Sequence, residues 1–357
     1  MENHAQQSIR VDHQKLIRFV ADAFKKLAVP PQDAEIAANV LVMADLRGVD
    51  THGVIRFNPR SWYVKWLRDG EMTAVPSIRI VSETASSALM DGDRGIGMVI
   101  GHRAMELAIQ KAKDSGVGIV AVRNSRHFGM SAYYAMRALP HDMIGIAMTN
   151  ASRQVVPTFG RDAKFGTNPI CFAAPAQKEL PFVIDMATTT AAAGKLELAA
   201  RRGASIPLGW ALTEKSEPTS DPQIAQKARR LLPLGGTREG GSHKGYGLAI
   251  LVEVLCGVLT GTLTALNQNQ DPRGHFFAAL RIDTFRSVAE FKSDMDRLIR
   301  ELKSTAPIEG QDRVYVAGEL EFETAKDRTA KGIPLLGSVV NDLRDVGKQL
   351  GITYDLG

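Results

Sequence analysis

The sequence predicts an α/β protein in which largely helical segments at both chain ends flank a central region of alternating strands and helices. Three observations support this fold class. Residues 12–72 place apolar side chains at helical spacing, residues 73–189 alternate short β-like runs with helical runs, and an apolar helical pattern returns near residue 244. The chain of 357 residues is long enough for two domains or for one large domain with additions.

Two helices open the chain. The first is predicted over DHQKLIRFVADAFKKL, where apolar residues recur at helical spacing behind Asp12, a typical N-cap residue. Pro30 and Pro31 stop this helix, because proline cannot continue one. A second helix is predicted from about Asp33, and Gly48 is a natural terminator for it.

A short third helix and five strands follow. Asn58 and Pro59 are typical of an N-cap and a first helical position, so this helix is predicted to begin there and to end at Gly70. Residues 49–57 are then a connection between helices. Short runs rich in apolar and β-branched residues predict the strands SIRIV, VGIVAVR, MIGIAMTN, PICFAAP and FVIDMA, whereas LMDGD is a poor candidate for a buried strand.

The remaining helices lie between these strands and toward the C-terminus. One is predicted from about Met98 to Ser115, and a shorter one after Met130. A Gly- and Pro-rich stretch at about 203–241 precedes an apolar helix that begins near Lys244, and another helix covers about 288–302. The segment HFFAALRIDTF between them has a mixed pattern that favours neither a strand nor a helix.

Composition and charge narrow the class of protein. Hydrophobic residues make up 44% and charged residues 23% of the chain, which excludes a wholly disordered, collagen-like or coiled-coil protein. The formal net charge is +5, but the charges are interspersed and no DNA- or RNA-reading signature is present. A small anionic partner is therefore favoured over a nucleic acid.

The cysteines and the apolar segments predict a cytoplasmic protein. Cys171 and Cys256 lie in apolar runs and share no motif with other metal-ligating residues, as is typical of buried free thiols in a reducing compartment. The first thirty residues contain no apolar secretory segment. The most apolar stretch, residues 246–263, is short for a membrane span and is interrupted by Glu253, so no membrane association is expected.

The first candidate site is the run Asp50-Thr51-His52-Gly53, with Arg56 four residues beyond the histidine. A glycine beside a histidine lets the backbone bend and leaves the imidazole accessible, and an arginine can bind a carboxylate through two parallel hydrogen bonds. The alternative is an interhelical loop in which His52 caps a neighbouring group and Arg56 pairs with Asp50.

The second candidate site follows the predicted strand VGIVAVR. Asn124, Ser125, Arg126, His127 and Gly129 cluster there, between a strand end and a helix start, where α/β proteins expose reacting groups. Histidine is the usual general acid or base near neutral pH. An ordinary turn that contains a histidine is the equally weighted alternative.

The third candidate site combines FGTNP, which contains Thr167 and Asn168, with FVIDMATTT. Asp185 ends the latter strand, where it could accept a hydrogen bond from a ribose hydroxyl or orient a histidine. Local sequence alone favours a simpler role, in which Asp185 caps a helix that begins at Thr188.

Two glycine-rich segments resemble nucleotide-binding loops to different degrees. LGGTREGGSHKGYGL opens a helix and carries His243 and Lys244, so its backbone amides could bind a phosphate or a carboxylate; a flexible loop that caps a buried helix is the alternative. It lacks the residue order of a Walker loop. Gly95, Gly97 and Gly101 have the spacing G-x-G-x-x-x-G, which does not indicate a Rossmann unit.

Seven motifs in order carry a resemblance to a known family. They are DLRGVDTHGVIRF, VRNSRHFGMSAYYA, FGTNPICFAAP, FVIDMATT, GSHKGYGLAILVEVLCGVLTG, GHFFAALRID and AGELEFE. Together they span nearly the whole chain, which resembles the type-2 malate/L-lactate dehydrogenases. That family also contains ureidoglycolate and sulfolactate dehydrogenases, diketogulonate reductase and piperideine-2-carboxylate reductase.

The resemblance implies NAD(P)-dependent hydride transfer on a fold that is not of the Rossmann type. A mixed-sheet cofactor domain, residues 73–241, would be inserted into a helical or mixed substrate and dimerisation domain built from residues 1–72 and 242–357. The family forms homodimers with the active site in a cleft, so a homodimer is expected. NAD is slightly favoured over NADP, and no metal is expected.

The resemblance also assigns roles to individual residues. His127 matches the proton acceptor of the ureidoglycolate enzymes, whereas the counterparts of His52 and Asp185 form the acid/base pair proposed for the piperideine-carboxylate reductases. Arg56 matches the carboxylate-binding arginine, and Arg126, which often is Asn in relatives, adds a positive charge that favours a dianionic substrate. The expected cofactor-binding residues are Thr149, Asn150, Thr167, Asn168, Asp185, Met186, Ala187, His243, Lys244 and Gly245.

The expected activity is oxidation of a 2-hydroxy acid, or reduction of the corresponding 2-oxo acid, with malate, lactate or sulfolactate as candidate substrates. This reaction needs a base for the hydroxyl proton, a cation for the carboxylate and a nicotinamide held against the C2 hydrogen. Reduction of a cyclic imino acid is the alternative within the same family. A non-catalytic protein that binds a nucleotide or another anion is the alternative from a different class.

Overall fold

The computed structural model describes residues 8–263 and 273–356. At its centre is a sheet of seven strands, and a separate two-stranded sheet joins segments near the two chain ends. The strands are β1 (Ser8–Val11), β2 (Phe57–Asn58), β3 (Arg79–Glu83), β4 (Ser87–Asp91), β5 (Val117–Ser125), β6 (Met143–Thr149), β7 (Ile170–Ala174), β8 (Phe182–Met186), β9 (Arg273–Arg281) and β10 (Ile333–Leu336).

The large sheet has the order β3-β4-β5-β9-β6-β7-β8. The neighbours β4 and β5 are parallel, and every other neighbouring pair in this sheet is antiparallel. The predicted mixed α/β architecture is therefore confirmed. The five predicted strands correspond to β3, β5, β6, β7 and β8.

The predicted N-terminal helices are also confirmed, with small shifts of their bounds. Asp12 caps the first helix by accepting a hydrogen bond from the backbone N–H of Lys15 at 2.9 Å. The second helix begins at Pro31, whose missing N–H costs nothing in the first turn. The helices are α1 (His13–Lys26), α2 (Pro31–Leu46), α3 (Trp62–Arg68), α4 (Gly97–Ser115), α5 (Ser131–Ala135), α6 (Ala193–Arg202), α7 (Pro222–Ala228), α8 (Ser242–Val252), α9 (Val288–Lys303), α10 (Glu319–Lys331) and α11 (Gly337–Leu350).

The predicted start of the third helix is wrong. Asn58 does not cap a helix; its side-chain oxygen accepts hydrogen bonds from the backbone N–H groups of Arg60 and Ser61, at 3.1 and 2.9 Å, and so closes a turn. The helix α3 begins only at Trp62. Asparagine stabilises turns and helix starts by the same type of side-chain bond, so the local sequence does not distinguish them.

Two strands of the sheet lie outside the predicted set. The run LMDGD is a poor strand by its sequence, but Ser87–Asp91 pairs in parallel with β5. The mixed segment HFFAALRIDTF forms most of β9, which lies between β5 and β6. The residues Arg273–Ala279 are all buried, so the alternation that marks a half-buried strand is missing.

The strand β9 bears on the organisation of the chain. The predicted division assigns residues 1–72 and 242–357 to one domain and residues 73–241 to the other. It stays a prediction, but the large sheet takes β9 from the segment 242–357. Within the described ranges, no helix is long and apolar enough to cross a membrane.

Candidate active site

Several of the predicted sites meet at one edge of the seven-stranded sheet. The strands β5, β6 and β8 run in the same direction, because β9 and β7 lie between them and are antiparallel to their neighbours. Their C-terminal ends therefore lie at the same edge as the N-terminal end of β9. This places the segments of His127, Thr149, Asp185 and Arg273 close together.

The loop after α2 presents His52 and Arg56 on two consecutive 3₁₀ turns. Its position is held by Asp45, a buried residue of α2 whose Oδ2 accepts a hydrogen bond from the backbone N–H of Val54 at 2.8 Å. Gly53 is needed here, because a Cβ at this position would lie 1.9 Å from Asp45 Oδ1. The loop that carries both side chains is therefore packed directly on a buried carboxyl group.

Arg56 is buried, with only 6% of its surface exposed. Its Nε donates to the backbone oxygen of Thr51, and its Nη1 donates to Glu197 Oε2, both at 2.7 Å. The predicted alternative, in which Arg56 pairs with Asp50, is wrong, since Asp50 pairs with Arg328. Two of the five guanidinium N–H groups are thus used by these contacts, which leaves others for a ligand.

His127 lies beside His52, with ring centroids 5.8 Å apart and planes inclined by 18°. Its Nδ1 is 2.6 Å from the hydroxyl oxygen of Tyr63 and accepts a longer hydrogen bond, 3.4 Å, from the backbone N–H of Gly129. His52 Nδ1 lies 2.9 Å from the hydroxyl oxygen of Thr51. Each histidine therefore has one ring nitrogen engaged by the protein.

Burial keeps both histidines neutral near neutral pH. Desolvation, assisted by the nearby Arg56, lowers the pKa of His52 from 6.5 to about 4. Desolvation also lowers the pKa of His127 well below its usual value, and His52, Arg273 and Arg56 add repulsion. A neutral imidazole can accept or donate a proton, so either histidine is suited to acid/base chemistry.

Trp62 joins Arg56 and His127. Its backbone is left-handed, with φ of 58°, which is uncommon for a bulky residue. The guanidinium carbon of Arg56 is 4.4 Å from the centre of the indole ring, and the His127 ring meets the indole edge-on at 5.1 Å. Strained backbone of this kind is concentrated at functional sites, because the surrounding packing must hold it.

A cavity of about 320 Å³ lies beside His52, Arg56 and His127. The charged side chains that line it, among the described residues, are those of Arg56, Arg229, Arg273 and Glu197. With neutral histidines, three arginines and one glutamate leave a net formal charge of +2. This charge suits a small ligand with two negative groups.

A larger cavity of about 1030 Å³ adjoins the small one, and His52 and Thr167 line both. The large cavity is lined by three of the predicted cofactor-binding residues, Asp185, Met186 and Ala187. Its wall also contains Lys195, Arg202 and Trp210. The helix α6 lines both cavities, since Lys195 and Arg202 lie at the large one and Glu197 lies at the small one.

Asp185 does not cap a helix at Thr188, contrary to the expectation from local sequence. The next helix, α6, begins at Ala193, and Asp185 Oδ2 instead accepts a hydrogen bond from the backbone N–H of Ala132 at 2.7 Å. The Asp185 side chain is exposed toward the large cavity, but neighbouring protein still desolvates its carboxyl group. This desolvation raises its pKa to about 6, although the Ala132 N–H and Arg47 act in the opposite direction.

Three predicted cofactor-binding side chains make hydrogen bonds within the protein. The side chain of Asn150 donates to the backbone oxygen of Thr262 and accepts from the backbone N–H of Gly274. The side chain of Asn168 donates to the backbone oxygen of Ala249 in α8 and to the carboxylate of Glu253, and it accepts from the backbone N–H of Ala151. The hydroxyl group of Thr149 lies 2.7 Å from Nδ1 of His275. Thr149 and Asn150 line the small cavity, whereas Asn168 lines neither cavity.

The residues of the predicted anion site, 243–245, line neither of the two cavities. His243 and Lys244 are exposed, and His243 Nδ1 is 3.0 Å from a guanidinium nitrogen of Arg238. Gly245 allows close packing, since a Cβ there would lie 2.4 Å from the backbone oxygen of Leu234. The role of this loop in cofactor binding stays a prediction.

The structure also brings to the site residues that the local sequence does not indicate. Arg273 precedes the motif GHFFAALRID by one residue, so only its proximity to that motif could have indicated it. Tyr63 and Glu197 carry no local signal and reach the site only through the fold. Arg126 lines neither cavity, and its role in substrate binding stays a prediction. No cluster of three or more potential metal-ligating side chains occurs in the described part of the chain.

Comparison with known proteins agrees with this arrangement. Residues 11–344 match the sequence model of the malate/L-lactate dehydrogenases. A malate dehydrogenase of Pyrococcus horikoshii is 43% identical, and the match covers 96% of each chain. An L-sulfolactate dehydrogenase of Methanocaldococcus jannaschii is 39% identical over 95% of this chain and 96% of its own. The crystal structure of malate dehydrogenase from Entamoeba histolytica superposes with a TM-score of 0.94 at 32% identity, covering 98% of this chain and all of that chain.

Proposed function

The chain belongs to the malate/L-lactate dehydrogenase family, and from this membership we propose that it is an NAD(P)-dependent oxidoreductase acting on 2-hydroxy acids and their 2-oxo counterparts. One observation carries the proposal. Two neutral histidines and a buried arginine lie together where a small cationic cavity meets a larger one, and His52 lines both.

The small cavity would bind the substrate. Oxidation removes the hydroxyl proton and a hydride from C2, which leaves the 2-oxo acid; reduction is the reverse. Two assignments of the acid/base group are open: His127, or His52 together with Asp185. Both histidines line the small cavity, and within the described residues no hydrogen bond joins His52 to Asp185.

The arginines would select the charge of the substrate. Arg56 would bind the carboxylate next to C2, since Thr51 and Glu197 hold its guanidinium group in place. Arg273 and Arg229, which line the small cavity, would add positive charge to the charge expected from Arg126. A second negative group on the substrate favours malate or sulfolactate over lactate.

The large cavity would hold the cofactor. Its volume of about 1030 Å³ is at the upper end of the range for ligand pockets, and it combines cations suited to phosphates with Asp185, a possible acceptor for ribose hydroxyls. The hydride donor and acceptor would be the nicotinamide of NAD or NADP, with NAD slightly favoured from the sequence. The mixed sheet, rather than a Rossmann unit, would carry this cofactor.

A homodimer is part of the proposal. Five apolar side chains are exposed by 42–59%: four on α8 and the π-helical segment that follows, and one directly after that segment. They are Ile250, Leu251, Val254, Val258 and Leu259. A contiguous exposed apolar face of this kind is typical of an interface, so a second copy of the chain would cover it. Analytical ultracentrifugation of the wild type and of Val254→Asp tests this, since a monomeric wild type contradicts it.

A substrate panel tests the activity. We expect oxaloacetate and sulfopyruvate to be reduced with NADH or NADPH at higher kcat/KM than pyruvate, measured from nicotinamide absorbance. Reduction of cyclic imino acids alone would assign the imino acid reductase activity instead. Binding of NADH without turnover of any 2-oxo acid or imine would refute an enzyme and favour a nucleotide-binding protein.

Two variants decide the acid/base group. Loss of a positioned proton acceptor slows turnover by about 10²- to 10⁴-fold while cofactor binding persists. A loss of this size in His127→Ala alone assigns the role to His127, and the same loss in His52→Ala alone assigns it to His52.

The cytoplasm remains the predicted compartment, to be tested by cell fractionation.

A further inference from the structure

The contact between Tyr63 and His127 determines which ring nitrogen of the histidine carries the proton. Tyr63 is fully buried, and His127 Nδ1 is the hydrogen-bond partner of its hydroxyl group among the residues that the structure describes. A buried hydroxyl that does not donate is costly, so this O–H group donates to Nδ1. Burial also raises the pKa of Tyr63, which keeps the hydroxyl protonated.

A second donor points to the same tautomer. The backbone N–H of Gly129, which can only donate, faces His127 Nδ1 at 3.4 Å. Nδ1 therefore carries the lone pair. Because the neutral imidazole has one proton, that proton lies on Nε2, the nitrogen left for the small cavity.

The neighbouring histidine is held differently. His52 Nδ1 faces the hydroxyl group of Thr51, which can either donate or accept. His52 can therefore present an unprotonated Nε2, whereas His127 cannot do so while Tyr63 donates to it. The two stacked rings are thus not equivalent in acid/base chemistry.

We propose that Tyr63 is a positioning residue that holds His127 in the Nε2–H tautomer, so that His127 donates a hydrogen bond to the oxygen on C2 of the substrate. During oxidation, the substrate hydroxyl proton then goes to His52. Asp185 lines the large cavity, which His52 also lines. This inference rests on the proposed function, because it assigns the roles of two residues in that reaction.

The experiment combines NMR with kinetics on the full-length protein. Long-range ¹H–¹⁵N spectra of ¹⁵N-histidine-labelled protein report which ring nitrogen of His127 is protonated, and a His127→Gln variant assigns the signal. We expect Nε2–H in the wild type and a shift toward Nδ1–H in Tyr63→Phe. We also expect Tyr63→Phe to lower kcat for 2-oxo acid reduction by about 3- to 10-fold, with little change in KM for the cofactor.

Tyr133→Phe is the matched control. The hydroxyl group of Tyr133 lies 2.9 Å from Nδ1 of His102, and neither residue lines the small or the large cavity, so the same deletion should leave kcat unchanged. A proton on Nδ1 of His127 in the wild type would overturn the proposal, as would equal kinetic losses in the two variants. The wild-type spectrum decides the tautomer even if Tyr63→Phe does not fold. A wild type that reduces no substrate refutes the proposed function, while the spectrum still tests Tyr63.

Discussion

Replacement of Arg56 by lysine separates substrate recognition from a structural role. Lysine keeps the positive charge but has one compact ammonium group in place of a planar fork. The guanidinium group of Arg56 contacts the backbone oxygen of Thr51 and the carboxylate of Glu197, both at 2.7 Å, and lies over the ring of Trp62. A lysine ammonium cannot keep this arrangement and also bind a substrate carboxylate through two parallel bonds.

The expected loss follows from these contacts. A hydrogen bond to a charged group contributes about 1.5–3 kcal/mol, so loss of one such bond to the substrate lowers kcat/KM by about 10- to 150-fold. The loss of a bond to Glu197 or Thr51 lowers the free energy of unfolding by about 1–3 kcal/mol, because Arg56 is buried. The variant should therefore be less stable and, in addition, a poorer catalyst.

The assay compares kcat/KM for the preferred 2-oxo acid with the melting temperature of each variant. Arg103→Lys is the matched control, since Arg103 Nη2 pairs with the buried carboxylate of Asp33 at 2.6 Å but lines neither cavity. It should lower the melting temperature and leave kcat/KM unchanged. Unaltered kcat/KM in folded Arg56→Lys would refute the reasoning and remove Arg56 from the substrate site.

Three further predictions concern the cofactor, pH and the loop. NADH or NADPH at a hundredfold excess over Kd should stabilise the protein by about 2.7 kcal/mol. The resulting rise in melting temperature should be reduced more by Lys195→Ala, at the large cavity, than by Lys244→Ala, at an exposed position. The reverse order would assign Lys244 to the cofactor site. The pKa of Asp185 is raised from 3.8 to about 6, so the folded state loses stability as pH rises through this window. Asp185→Asn should therefore raise the melting temperature at pH about 7 but not at pH about 4. Equal shifts at both pH values would contradict this. Gly53→Ala places a Cβ 1.9 Å from Asp45 Oδ1 and should lower the free energy of unfolding by about 1–3 kcal/mol, measured by thermal unfolding. An unchanged melting temperature would show that the loop is not packed on Asp45 in this way.

The sequence by itself determined the features that depend on neighbouring residues. Asp12 predicted the start of α1, and the runs after Val117 and Met143 predicted β5 and β6, because capping and apolar periodicity act over a few positions. The motif around His52 and His127 identified candidate reacting groups and, with the other motifs, the family. Local signals failed where one residue type serves two structures, as at the turn after β2.

Only the tertiary structure decided what these residues contact. Tyr63 meets His127 across 64 positions, and Arg56 meets Glu197 across 141, so no local pattern could indicate either pair. The strand β9 was equally hidden, since its pairing partners come from distant segments, and its faces are buried by α4 and by the π-helical segment that follows α8. The physical reason is that side-chain spacing specifies elements over a few residues, whereas pairing, burial and the resulting pKa shifts depend on segments that meet only when the chain folds.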